Sequence, residues 1–158
     1  YMHYYWAANV FGSRYHSYLE IRNGSGGHFY LSGGPAIRGG GGGNGTAYIL
    51  LDAAGLASWD PIYGDLKAWA APNTSASTYS QASGQWSVPL GTVNMDWSAA
   101  EAVLTDEAAT VNSGNITYDA IYENSNSVSF SGARALGLNP TPPANLSVPA
   151  WGTNIPPG

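Results

Sequence analysis

The residues best suited to chemistry form the stretch Asn124-Ser125-Asn126-Ser127, at the start of a predicted helix that ends at Gly137. Short polar side chains at this place can cap a helix, because their oxygens accept hydrogen bonds from its first free N–H groups. A serine there can also act as a nucleophile, because those N–H groups and the helix dipole favour negative charge nearby. The residues alone leave both interpretations open.

The other reactive side chains show no spacing typical of a metal, phosphate or glycosidase site. His3, His16 and His28 do not match a metal-binding motif. The run Gly39–Gly43 is followed by a predicted strand, Thr46–Leu51, and by no lysine, so it indicates a flexible loop and not a phosphate-binding loop. Nothing singles out two carboxylates for a glycosidase pair among Asp52, Asp60, Asp65 and Glu123. We therefore expect no metal and no cofactor.

Two alternating segments around Asn23-Gly24 predict a β-hairpin early in the chain. Residues 15–22 alternate so that Leu19 falls on one face and His16 on the other. Asn-Gly between alternating segments is a strong hairpin signal, so residues 28–32 are expected to run back as the second strand.

The hairpin also predicts which polar side chains can approach His16. His28 would lie beside the turn, about 20 Å away along the strand. Ser32 would lie near His16 and on the same face. On geometry, Ser32 is therefore the better neighbour.

Two further segments predict helices. Ser98 and Glu101 have the spacing of a capping box ahead of an alanine-rich segment that should run to about Asn112. A second helix is expected from about Ser125 to Leu136, with a glycine after it as the C-terminal cap.

The remaining segments predict strand or irregular structure. The aromatic cluster in residues 1–15 can cover the core or form a first strand. Residues 85–90 alternate and predict a strand, and Pro89 places it at a sheet edge or near the strand's end. Residues 139–158 contain six prolines and predict an extended tail.

Composition limits the classes of protein to which the chain can belong. Its 158 residues fit one domain, residues 1–158. Only 9% of residues are charged and the net charge is −5, which argues against nucleic-acid binding. Cysteine is absent, and no apolar segment is long enough to predict a transmembrane helix.

The abundance of glycine, serine, threonine and asparagine is typical of extracellular proteins, and we expect a secreted or cell-surface location. Five sequons are compatible with glycosylation, at Asn23, Asn44, Asn73, Asn115 and Asn145.

Several short motifs resemble the circularly permuted papain-like hydrolases, the group that includes lecithin:retinol acyltransferase and bacterial secreted domains with an "NSNS" element. The motifs are His16-Ser17-Tyr18-Leu19, the exit Gly33-Gly34-Pro35, the segment "YDAIYENSNS" and the tail "LSVPAWG". The resemblance covers residues 15–35 and 97–158.

The resemblance implies an antiparallel sheet packed on helices, so we expect an α+β fold in which the early hairpin packs on the two predicted helices. It also implies a histidine at the start of an early strand facing a nucleophile at the start of a later helix. His16 takes the base position and Ser125 takes the position of the nucleophilic cysteine, while Ser32 fits the group that orients the histidine. A serine hydroxyl, with a pKa of about 16, needs a stronger base than a thiol with a pKa of about 8.5. Helix N–H groups together with His16 could supply that activation.

Two functions follow as hypotheses. The first is a secreted Ser/His amide or ester hydrolase or acyltransferase acting on a peptide or acyl substrate. The second is a catalytically inert extracellular subunit, of a filament or surface layer, that forms homo-oligomers through strand and tail contacts.

Overall fold

The computed structural model describes residues 1–7, 14–35, 65–72, 86–116 and 125–141. The predictions for the glycine run at 39–43, for the strand at 46–51 and for the tail after residue 141 lie outside these residues.

Within the described residues, five strands form one antiparallel sheet in the order β4-β3-β2-β1-β5. Their bounds are β1 Met2–Ala7, β2 Arg14–Arg22, β3 His28–Pro35, β4 Leu66–Ala71 and β5 Trp86–Val88. Among the described strands, β1 therefore lies inside the sheet and β5 lies at an edge. Pro89, directly after β5, predicted an edge position or the end of a strand.

The predicted hairpin is confirmed. β2 and β3 pair in the register Tyr18↔Ser32, and His28 pairs with Arg22 beside the turn. Asn23 closes this turn, because its Oδ1 accepts hydrogen bonds from the N–H groups of Ser25 and Gly27. The turn fixes the register, and the register decides which residues share a face.

Two helices complete the described fold, α1 Trp97–Ser113 and α2 Ser125–Ala135. The predicted C-terminal glycine of α2 is confirmed, since Gly137 has φ +84° and Leu138 N–H bonds back to Ala133. The predicted capping box of α1 is wrong. The helix begins one residue before Ser98, with Asp96 at the N-cap and no side-chain cap hydrogen bond, so Ser98 lies within the first turn.

The core lies between one face of the sheet and the two helices. Leu19, Leu31, Leu66, Leu104 and Val128 are fully buried there. The fold is thus α+β, with an antiparallel sheet and an early hairpin packed on two helices, as predicted.

Glycine allows α2 to lie unusually close to the sheet. A Cβ on Gly132 would overlap the Leu31 side chain, and a Cβ on Gly33 would overlap Val128. This close approach fixes α2 against β2 and β3 and determines which polar side chains of the helix meet the sheet.

Candidate functional site

The three predicted site residues lie on three different elements. His16 is in β2, in register with Tyr5 of β1. Ser125 is the first residue of α2. Ser32 is buried in β3, opposite Tyr18.

The neighbour of His16 shows which face of β2 meets α2. The Ser17 hydroxyl donates to Asn126 Oδ1 at 2.8 Å, so Ser17 faces the helix. Successive strand residues alternate between faces, which puts the His16 position on the opposite face, together with Tyr18 and Glu20. The sheet thus separates the His16 position from the start of α2.

The side chains of His16 and Ser125 lie outside the described part of the chain. The catalytic pair of His16 and Ser125 therefore stays a prediction. Ser32 shares the face of the His16 position, as the hairpin predicted, and its role as an orienting group also stays a prediction.

The polar side chains at the start of α2 attach the helix to the sheet. Besides the bond from Ser17 to Asn126, the Ser129 hydroxyl donates to the Ser17 carbonyl at 3.0 Å. Asn126 and Ser129 have no exposed surface. Because buried polar groups need partners, these bonds give a structural role to Asn126 of the "NSNS" segment and to Ser129 just after it.

A second polar cluster lies on the opposite face of the sheet and is centred on Glu20. His3 Nε2 is 2.7 Å from Glu20 Oε1, and Arg22 Nε donates to the same oxygen at 2.9 Å. His28 Nδ1 is 2.5 Å from Oε2. Only 3% of the Glu20 side chain is exposed, so these partners replace water around the carboxylate.

The partners keep Glu20 ionised. Burial by itself raises the pKa of Glu20, but hydrogen bonds from Arg22, His28, His3 and Tyr30 outweigh it and hold the pKa at about 2. Near neutral pH, Glu20 is therefore a carboxylate that can only accept hydrogen bonds.

His3 joins this carboxylate to a serine on β5. Its Nδ1 is 2.7 Å from Ser87 Oγ, and its ring stacks on Tyr18 with centroids 4.6 Å apart. Burial lowers the pKa of His3, although the hydrogen bond to Glu20 opposes that shift. The imidazole is therefore neutral near pH 7.

The hydrogen-bond directions follow from these charges. Glu20 accepts, so Nε2 of the neutral His3 carries the proton, and Nδ1 is then an acceptor. The Ser87 hydroxyl must donate to Nδ1. This is the arrangement of nucleophile, general base and orienting carboxylate found in serine hydrolases, with the two ring nitrogens exchanged.

Strand pairing explains why the three side chains meet. β1 lies between β2 and β5, with His3 opposite Tyr18 on one side and opposite Ser87 on the other. Glu20 is two residues beyond Tyr18 and thus on the same face and diagonal to His3. Ser87 is exposed, whereas His3 and Glu20 are 5% and 2% exposed. An exposed serine residue thus lies next to a buried base and acid.

Sequence reasoning missed this constellation. His3, Glu20 and Ser87 are far apart in the chain, and no motif includes two of them. The alternation of β2 did indicate that Glu20 and His16 share a face. The missing information was the pairing of β1 with both β2 and β5, which side-chain patterns do not reveal.

A cavity of about 280 Å³ lies between β2 and the start of α1. Trp97 and Leu138 line it, along with Glu20, but neither His3 nor Ser87 does. We assign it no part in the chemistry at Ser87.

Within the described ranges, no three His, Cys, Asp or Glu side chains are grouped closely enough to hold a metal ion. Neither α1 nor α2 is long and apolar enough to cross a membrane.

Comparisons with family models, with curated proteins and with solved structures found no match to this chain.

Proposed function

We propose that this domain is a serine-dependent hydrolase or acyltransferase that cleaves an amide or ester bond. Ser87 is the nucleophile, His3 the general base and Glu20 the orienting carboxylate. The observation that supports it best is the pair of 2.7 Å contacts that His3 makes, one with Ser87 Oγ and one with Glu20 Oε1.

The protonation states permit the chemistry. As Ser87 Oγ bonds to the substrate carbonyl carbon, its proton moves to His3 Nδ1, and Glu20 stabilises the imidazolium that forms. His3 then returns the proton to the leaving nitrogen or oxygen as the bond to the carbonyl carbon breaks. A water or an acceptor alcohol, deprotonated by His3, releases the acyl group from Ser87.

The burial of the base and the acid supports the proposal further. Glu20 and His3 are shielded from water, so the field of the carboxylate acts strongly on the imidazole. Tyr18 stacks on the His3 ring and holds its orientation. A preorganised base of this kind typically contributes about 10²–10⁴-fold to the rate.

The experiment is labelling with a fluorophosphonate, followed by mapping of the modified serine. Three variants are compared with the parent: Ser87→Ala, Ser125→Ala and Ser98→Ala, the last an exposed helix serine that serves as a control. Loss of labelling in Ser87→Ala alone supports the proposal. Loss in Ser125→Ala alone overturns it in favour of the papain-like nucleophile. No labelling of the parent protein also overturns it.

The second candidate is the inert extracellular subunit, and a specific observation favours it. The buried bonds from Ser17 to Asn126 and from Ser129 to Ser17 use the polar start of α2 for packing. On this proposal the chain keeps a papain-like architecture without its chemistry and assembles outside the cell through strand and tail contacts. Concentration-dependent assembly in sedimentation velocity, together with no labelling of any serine, is the expected result for this candidate.

A further inference from the structure

The backbone N–H and C=O groups of Ser87 point away from β1, toward the outer side of β5. Tyr1 and Glu20 exchange both backbone hydrogen bonds, N to O at 2.8 Å and 2.9 Å, so they are a hydrogen-bonded pair of the β1–β2 ladder. In an antiparallel ladder such pairs recur at every second residue. The backbone of His3 therefore also faces β2, whereas that of Met2 faces β5.

The same alternation determines which residue pairs of β1 and β5 exchange backbone hydrogen bonds. Met2 is opposite Val88 and His3 is opposite Ser87. Met2 and Val88 are then a hydrogen-bonded pair, and His3 and Ser87 are a non-hydrogen-bonded pair. In a non-hydrogen-bonded pair the two side chains come closest. The Ser87 N–H and C=O then point outward, and among the described strands β5 has only β1 as a neighbour.

We infer that Ser87 binds one residue of an extended polypeptide by its main chain and uses its own N–H as an oxyanion donor. The substrate residue donates its N–H to the Ser87 carbonyl, and its own carbonyl, the one to be cleaved, accepts from the Ser87 N–H. This inference rests on the proposed function. It makes the substrate class N-acylated α-amino acid esters or amides, as in peptides.

The positions of the groups around Ser87 agree with this inference. His3 lies on the inner side of Ser87, and the docked carbonyl lies on the outer side, so Oγ stands between the base and the carbon that it attacks. A nucleophile's own N–H serves as an oxyanion donor in known serine proteases. As Ser87 Oγ bonds to the carbon, the electron pair of the C=O bond moves to the oxygen that the N–H stabilises.

The residue after β5 restricts how much of the substrate is bound in this way. Pro89 has no N–H, so the edge cannot extend a continuous ladder of donors beyond Ser87 on that side. The described edge therefore offers one complete donor–acceptor pair, which suits recognition of a single residue and disfavours uncontrolled strand addition.

The test uses the full chain and four nitrophenyl esters. Two of them are the acetate and an acetyl-dipeptide ester. The first analogue of the dipeptide ester has oxygen in place of the N–H of the residue that carries the ester. The second analogue has oxygen in place of the N–H of the residue before it. By strand alternation only the first of these N–H groups points toward Ser87. We expect kcat/KM about tenfold lower for the first analogue than for the parent ester, and less than threefold lower for the second.

Equal losses for the two analogues, or acetate turnover as fast as that of the dipeptide ester, would overturn the inference. The acetate distinguishes this failure from failure of the proposed function. If Ser87→Ala turns over the acetate as fast as the parent protein does, the nucleophile assignment itself is wrong. If only that variant loses acetate turnover and the analogues behave alike, the nucleophile stands and main-chain docking is wrong.

Discussion

Two buried carboxyl groups, one on each side of the sheet, have opposite environments. Glu20, on the face away from the helices, is surrounded by donors that hold its pKa at about 2. Glu107, on the buried side of α1, has an Oε1 that forms no hydrogen bond with any described residue, and burial raises the pKa of Glu107. Burial alone therefore does not predict the charge of a carboxyl group in this protein. The donors that neighbouring strands supply decide it.

The two faces of the sheet differ in the same way in the roles of their polar side chains. The helix-facing side is closely packed, and its polar contacts hold elements together. The opposite side holds an ionised acid, a neutral histidine and an exposed serine residue, all of which can take part in proton transfer. We therefore expect substitutions on the two sides to differ in size and in sign.

The largest change is expected for Glu20→Gln. It places an amide among donors that need an acceptor, and we expect about 3 kcal/mol less unfolding free energy at pH 7. The Glu20 pKa is below its ordinary value of 4.5, so its stabilisation is present above pH 4.5 and is lost as the pH falls toward 2. Urea unfolding at pH 7 and at pH 3 should show the difference between variant and parent shrinking in acid. A constant difference would contradict this account.

Next in size is Gly132→Ala in α2. The added methyl group would overlap Leu31, and we expect a loss of about 2 kcal/mol, measured by urea unfolding. Exposed helix positions usually gain about 1 kcal/mol from this replacement. Ala135→Gly, at an exposed position of the same helix, measures that propensity separately. A stabilised Gly132→Ala variant would show that the helix is less closely packed than described.

Glu107→Gln should have the opposite sign. At pH 8 the parent protein must either bury a charged Glu107 or keep this carboxyl protonated, and both cost free energy. Glutamine is neutral and avoids this cost. We expect a gain of about 1–2 kcal/mol at pH 8, seen as a higher Tm. Because the folded-state pKa of Glu107 is raised, the parent is destabilised as the pH rises above 4.5, so the gain should disappear near pH 4. Glu101→Gln, half-exposed on the same helix, is the matched control.

The smallest effect is expected for His28→Gln. His28 contacts Glu20 Oε2 but has 44% of its side chain exposed, so water competes for the contact. We expect a loss below about 1 kcal/mol in urea unfolding. A loss as large as that of Glu20→Gln would mean that His28, and not the buried partners, stabilises the carboxylate.

Local patterns in the sequence predicted the local structure well. Asn23-Gly24 identified the hairpin and its register, and Gly137 identified the end of α2. These signals succeed because turn and cap geometry depend on the few residues that form them. The predicted N-cap of α1 was wrong. Ser98 is a residue type that often caps helices, but here the N-cap is Asp96 and Ser98 lies inside the helix.

The candidate site could not be predicted in the same way. His3 and Ser87 are 84 residues apart and meet only because β1 pairs with β5. Strand order depends on the total packing of the sheet and not on any local motif. Alternation in the sequence predicted that His16 and Ser17 lie on opposite faces of β2. Only the contact between Ser17 and α2 shows which of the two faces meets the helix.

The position of β1 between β2 and β5 has a consequence for how the protein folds. The hairpin β2–β3 joins neighbours in sequence, whereas the β1–β5 pairing closes a very long loop, and such pairings form slowly. The contact between His3 and Ser87 should therefore form after the hairpin during refolding. Recovery of fluorophosphonate labelling would then report the closure of the sheet edge, at a stage when spectroscopic signals of the hairpin are already complete.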